Sequence, residues 1–347
     1  MRRPRQWLLF AALASTLALL EGASPQDAAH AFLTTTFGLS PAEIGRLDAG
    51  HVLTRTLAAG HSREVGTLGI VRIATTPETY VERVSDIVSF KRTEDVLQIG
   101  TFSDPPLVDD LATLIIPEDD IRRLQKCRVG DCGVRLSAEA IRQLAASVDW
   151  KAADAAAQAG RALRELLVQL VARYRENGTT ALMTYADGER HLEPGAELAG
   201  LIAADEPAWR HLPDLRRHVL AYPHAGIPAT EVVYWSKERV SKRPVVSITH
   251  LSIVRQAADG PVRYAISSRQ VYAMHYFDAS LGLTLLVPAQ PSSSPATYVV
   301  YLNRSRIDLF DGMFGRVARR IVSGRARSLV GEQLTRLQRT LNARPPG

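Results

Sequence analysis

Two cysteines, Cys127 and Cys132, stand in "LQKCRVGDCGVRLS", and their types and spacing admit three kinds of chemistry. Thioredoxin-like exchange needs C-x-x-C, which this pair lacks. A metal clip needs two further ligands at recognisable spacing, and no CxxC or paired histidine supplies them. The intervening Arg128-Val129-Gly130-Asp131 carries Gly-Asp, good turn chemistry for closing a small ring. We therefore expect a structural disulfide worth roughly 2 kcal/mol through unfolded-state entropy, given an oxidising compartment.

Among the other polar residues, "MHYFDAS" offers His275 and Asp278 at the end of an expected strand. A carboxylate can orient a histidine for acid–base catalysis. Asp278 before Ala-Ser-Leu-Gly is equally a natural turn opener, and we take that reading first. His250 stands alone in "SITHLSIV" and reads as a hydrogen-bonded residue rather than a metal ligand. "GHSRE" is not a nucleophile elbow, because Glu64 stands where the last glycine of G-x-S-x-G belongs. HExxH, the P-loop and a dinucleotide-binding glycine pattern are all absent. No metal, cofactor or catalytic residue is expected on these grounds.

The compartment is read from the start of the chain, "MRRPRQWLLFAALASTLALLEGASPQ". Arg2, Arg3 and Arg5 precede an apolar run from Trp7 to Leu20 that is shorter than the roughly 20 residues of a spanning helix. A basic head before a short apolar core reads as a secretory signal peptide over 1–24. Gly22, Ala23 and Ser24 suit a cleavage site, Glu21 fits it badly, and an uncleaved anchor is the alternative. The mature chain is expected to be soluble, and periplasmic or secreted.

The full chain carries +6. Losing three Arg and Glu21 leaves 39 basic and 35 acidic residues, or +4. From Leu302 onward there are ten Arg, no Lys and three acids, a local +7, so the rest of the mature chain sums to −3. This asymmetry is either a solvated helix face or a seat for an anionic surface. Nucleic acid is not expected as a partner, since aromatic and basic residues do not interleave.

The elements that must position these residues fall into three blocks. The first alternates helix and strand: "PQDAAHAFLTTTF" after a Ser24 cap, a helix from the capping box "SPAE", strands "HVLTRTLAA" and "REVGTLGIVRIAT", a helix "ETYVERVSDIVSF" after Thr76-Pro77, and the strand "DVLQIGTFS". The second is helical. Ser137 caps one helix, and another runs from Lys151 to Glu176 with Leu163, Leu166, Leu167, Leu170, Val171 and Tyr174 on one face. Asn177-Gly178 ends it, and further helices cover about 195–203 and 207–220.

The third block is a meander of strands from Glu231 to Ile307, turning at "AADG" and "DASLG" and looping through "QPSSSPA". A long last helix follows, with Phe314, Ala318, Ile321, Val322, Leu329, Val330, Leu334, Leu337 and Leu341 expected on its apolar side. Arg316, Arg319, Arg320 and Arg327 lie largely elsewhere around its axis. These patterns predict one α+β domain over 25–347: a curved antiparallel sheet gripping a long C-terminal helix, with a helical insertion over 105–220 and the meander and last helix over 230–341.

This order of elements resembles the START-like (SRPBCC) helix-grip superfamily. The resemblance implies a cavity for a hydrophobic, lipid-like small molecule between the sheet and the last helix. It transfers no functional residue, and both the leader and the large helical insertion depart from the family's pattern. Strand alternation puts Tyr272, Met274 and Tyr276 on one face, and these with His250 and His275 are the candidate cavity residues. Three readings follow: a carrier of a hydrophobic molecule, an exported hydrolase or lyase using His275 and Asp278, and an interaction domain using the arginine-rich helix.

Overall fold

The computed structural model describes residues 25–189, 191–240, 243–289, 294–310 and 315–342. The expected leader over 1–24, the Ser24 cap, Phe314 and much of the "QPSSSPA" loop lie outside the described residues. The first block opens with α1 (Pro25–Phe37) and α2 (Pro41–Asp48). A reciprocal capping box starts α2: the Glu43 carboxylate accepts from the Ser40 N–H at 2.9 Å, and the Ser40 hydroxyl accepts from the Glu43 N–H. Strands β1 (Leu53–Leu57) and β2 (Glu64–Ile73) follow, then α3 (Pro77–Ser85), capped by Thr76. The expected single helix beyond Thr76 is broken, because Asp86 leaves helical geometry and caps a separate short α4 (Ile87–Phe90). Strand β3 (Val96–Thr101) completes the block.

The helical insertion comprises α5 (Glu118–Lys126), α6 (Ala138–Ser147), α7 (Ala155–Asn177), α8 (Pro194–Ala204), α9 (Glu206–Trp209) and α10 (Pro213–Ala221). Ser137 caps α6 as expected, whereas α7 begins at Ala155 rather than Lys151. Gly178 ends α7 at φ 62°, and a Cβ there would overlap the Tyr222 carbonyl oxygen, so only glycine fits.

The last block is β4 (Thr230–Arg239), β5 (Pro244–Arg255), β6 (Tyr264–Ala273), β7 (Phe277–Pro288), β8 (Thr297–Ile307) and α11 (Gly315–Asn342). All strands join one antiparallel sheet in the order β1-β2-β8-β7-β6-β5-β4-β3. The meander therefore forms the middle, and strands from the first block close both edges.

Alternation divides the sheet into two faces. One face buries Leu68, Ile70, Leu283, Leu285, Val300 and Leu302 against α1, α2 and α8–α10. Further along it, Val233, Trp235, Ile248 and Tyr272 pack under α6 and α7. The opposite face buries Val71, Ile73, Leu251, Ile253, Leu286 and Val299 against Tyr80, Val84 and Ile87 of α3 and α4 and against Val330 and Leu334 of α11. The last helix thus lies on the sheet, over β1 and β2. It packs tightly at Gly69, where a Cβ would come within 2.5 Å of Val330 Cγ1 and 2.6 Å of Leu334 Cδ1.

Two further expectations need correction. The buried stripe of α11 advances four residues at a time, through Ala318, Val322, Ala326, Val330 and Leu334. Ile321 and Leu329 each precede a stripe residue by one position, roughly 100° around the axis, and are 60% and 48% exposed. "DASLG" is not a turn. The chain reverses at Met274–Tyr276, with Tyr276 at φ 66°, and Asp278 lies inside β7. Asp278 is wholly buried because Arg63 and Arg135, remote in sequence, bring their charges to it; the Arg135 pair is 2.7 Å.

Cys127 and Cys132 are joined in a disulfide. The ring closes through an Arg128–Asp131 bridge with Gly130 at φ 86°. The Gly130 and Cys132 N–H groups donate to the carbonyls of Ala186 and Asp187 at 2.8 Å, pinning the loop to the segment after α7.

Candidate functional site

The five expected cavity residues do not converge on one space. Tyr272 and Met274 are wholly buried in the cluster with Leu163, Leu167 and Tyr185, on the sheet face turned away from α11. The Tyr272 hydroxyl donates to the Arg135 carbonyl at 3.0 Å, and burial pushes its pKa well up. His275 pairs with Asp120 of α5 at 2.9 Å, not with Asp278, and both partners are buried. Only Tyr276 stands beside the last helix, packed with Ala318 and Val322 around Val65, Ile307 and Phe310.

His250 is wholly buried at the centre of a second network. Its Nδ1 lies 2.7 Å from the Tyr174 hydroxyl and 2.9 Å from an Arg269 guanidinium nitrogen. Its Nε2 faces Ser252 Oγ at 3.3 Å and Glu231 at 3.4 Å. Burial lowers the His250 pKa to about 4, with the nearby Arg269 charge acting the same way against the Glu231 hydrogen bond. The ring is neutral near pH 7, so Nδ1 accepts and Nε2–H points toward Glu231. Burial alone would raise the Glu231 pKa, but hydrogen bonds from His218 and His250 outweigh it and hold it at about 2. Arg269 stacks over the rings of Tyr174 and Tyr222, 5.1 and 5.2 Å from their centroids.

Glu231, His250 and Tyr174 have the order of an oriented base and a hydroxyl. The Tyr174 side chain is nonetheless wholly buried, and burial raises its hydroxyl pKa. A hydroxyl without solvent access is out of reach of a diffusing substrate. The network instead ties α7 and α10 to β4, β5 and β6.

On the α11 face, the sheet beyond the apolar packing is floored by Ser247, Thr249, Ser268, Gln270, Ser280 and Asn303, all half-buried. Ser280 and Ser305 hydroxyls bond across β7 and β8 at 2.8 Å. Such a floor differs from the mainly hydrophobic lining of a pocket for an apolar ligand.

A polar cavity lies between α11 and the edge strand β1. It holds about 480 Å³ and is lined by Thr56, Arg316, Arg319, Arg320, Ser323, Gly324 and Arg327. Positions 316, 320 and 327 recur at i, i+4 and i+11, which places their guanidinium groups on one side of the helix. No acidic side chain of the described residues lines the cavity. Among the described residues, none lies within ion-pair distance of Arg316, Arg320 or Arg327. Arg319 donates to the Ser62 carbonyl at 3.4 Å. Sequence reasoning found the arginines through their helical spacing and missed Thr56, Ser323 and Gly324, since nothing local signals which strand a helix will flank. A smaller cavity of about 240 Å³, lined by Glu43, Arg46, Leu47, His51, Val52 and Leu53, mixes charges of both signs.

Among the described residues, no thiol, imidazole or carboxylate lines the arginine cavity. Its four guanidinium groups and two hydroxyls are donors suited to phosphate or carboxylate oxygens. Among the described residues, no group of three His, Cys, Asp or Glu side chains is placed to hold a metal ion. No protein-family model matches the chain, and none of the curated proteins does.

Proposed function

We propose that this chain is a binding protein without covalent chemistry that takes an anionic group into the cavity between β1 and α11. One observation carries the reading: a cavity of about 480 Å³ is walled by Arg316, Arg319, Arg320 and Arg327, and among the described residues no acid lines it to neutralise them. Like charges gathered on one helix face repel and are tolerated best with a counter-charge between them. Residence outside the cytoplasm belongs to the same reading, supported by the Cys127–Cys132 disulfide and the basic-then-apolar start of the sequence. Among the described residues no helix is long and apolar enough to cross a membrane.

The test is calorimetric titration with inorganic pyrophosphate at low salt. Binding is expected at one site per chain, weakening as salt rises. Replacing Arg316, Arg320 and Arg327 together by Gln should abolish it without lowering the melting midpoint, because all three side chains are exposed and their mutual repulsion is removed. Equal binding by the triple variant, or none by the original chain, overturns the proposal.

A second reading is favoured by the sheet and the long C-terminal helix packed on it. It is a START-like helix-grip protein carrying a hydrophobic, lipid-like molecule between them. Organic extraction of purified protein should then release a stoichiometric lipid. An empty extract, together with no uptake of a fluorescent fatty-acyl probe, removes this reading.

A further inference from the structure

We infer that the anionic partner of α11 is the headgroup layer of a phospholipid bilayer, with the helix lying along the membrane surface. This inference rests on the anion-binding reading and goes beyond it. Val317 and Ile321 are each 60% exposed and share one face of α11 at i, i+4. Each directly follows an arginine of the cavity, Arg316 and Arg320, so the aliphatic pair lies about 100° around the axis from the arginine row. Leu309, in the 3-10 turn Asp308–Phe310 that leads into the helix, is also 47% exposed.

A soluble anion accounts for the arginines and leaves these aliphatic side chains without a role. Nucleic acid is ill suited, because α11 has no aromatic residue on which a base could stack. An interfacial helix needs both features together, arginines at headgroup level and aliphatic side chains reaching beneath it. Charge favours the same partner. Seven arginines less one glutamate give α11 +6, equal to the +6 of the whole chain, so all remaining residues sum to zero. The attraction to an anionic surface is therefore concentrated on one helix on the order of 40 Å long.

Co-sedimentation of the full chain with vesicles tests this. Vesicles of equal parts phosphatidylglycerol and phosphatidylcholine should retain the protein, and vesicles of phosphatidylcholine alone should not. Arg316→Gln, Arg320→Gln and Arg327→Gln combined should weaken retention roughly 100-fold, the loss expected of three arginines near an anionic bilayer. Val317→Ser with Ile321→Ser should weaken it at least about 10-fold while leaving pyrophosphate binding unchanged. Pyrophosphate binding without vesicle binding overturns the membrane inference and leaves the anion cavity, as a phosphorylated protein partner would require. Unchanged vesicle retention in the double Ser variant also overturns it. Loss of pyrophosphate binding in the original chain instead overturns the underlying reading.

Discussion

The buried histidine His250 carries the clearest consequence for a single side chain. In the unfolded chain its imidazole takes up a proton near pH 6.5, whereas in the fold it stays neutral down to about pH 4. The folded pKa is the lower of the two. This contribution is therefore present above pH 6.5 and is lost as pH falls through the window to about 4. A displacement of that size amounts to about 3 kcal/mol at most. The urea midpoint should fall between pH 6.5 and 4, and the decline should be shallower in His250→Gln at the same site. Parallel pH profiles for the two proteins would show that His250 is not the titrating group. Sequence position singled out His250 but could not reveal its partners, because Tyr174, Arg269 and Glu231 arrive from three other elements. His275 and Asp278 teach the same lesson in reverse. Three positions apart in sequence, they part in the fold, His275 to Asp120 and Asp278 to Arg63 and Arg135.

At the level of elements, the seat of α11 on β2 depends on the absence of a side chain at Gly69. Gly69→Val should push Val330 and Leu334 off the sheet, and overpacking of this kind costs about 1–3 kcal/mol. Val330→Ala should recover much of that loss in the double variant, although alone it removes buried methyl groups and destabilises. Chemical denaturation of the four proteins gives the coupling directly. Additive losses would show that Gly69 and Val330 do not meet. The elements themselves were largely legible. Ser40, Thr76 and Ser137 cap helices where their local patterns predict. The apolar side of α11 was legible only in part, since Ile321 and Leu329 satisfy a helical period yet face solvent. Periodicity fixes which residues share a side of a helix, not which side the rest of the protein covers.

For the whole molecule, the disulfide is a local staple rather than a determinant of topology, because it closes a ring across only five positions. Removing it by Cys127→Ser with Cys132→Ser should lower stability by roughly 2 kcal/mol and leave the fold intact. Thiol labelling of unreduced protein should find neither cysteine reactive. Stoichiometric labelling of both would overturn the pairing. The long-range connections lie elsewhere, in the pairing of β2 with β8 and of β3 with β4 and in the buried Arg63–Asp278–Arg135 cluster.

The sequence alone determined the class of the protein: helix and strand periods, caps, turn residues and the cysteine ring are written within a few residues of where they act. It also determined that one helix would gather the positive charge, since composition along a segment needs no partner to be counted. Tertiary structure alone decided where Tyr272 and Met274 point, toward α7 and not toward the last helix. It also decided that Thr56 joins the arginines in one cavity. Both outcomes depend on strand order and on which face each helix covers. Those are set by the summed burial of surfaces far apart in the chain, and no local window contains that sum.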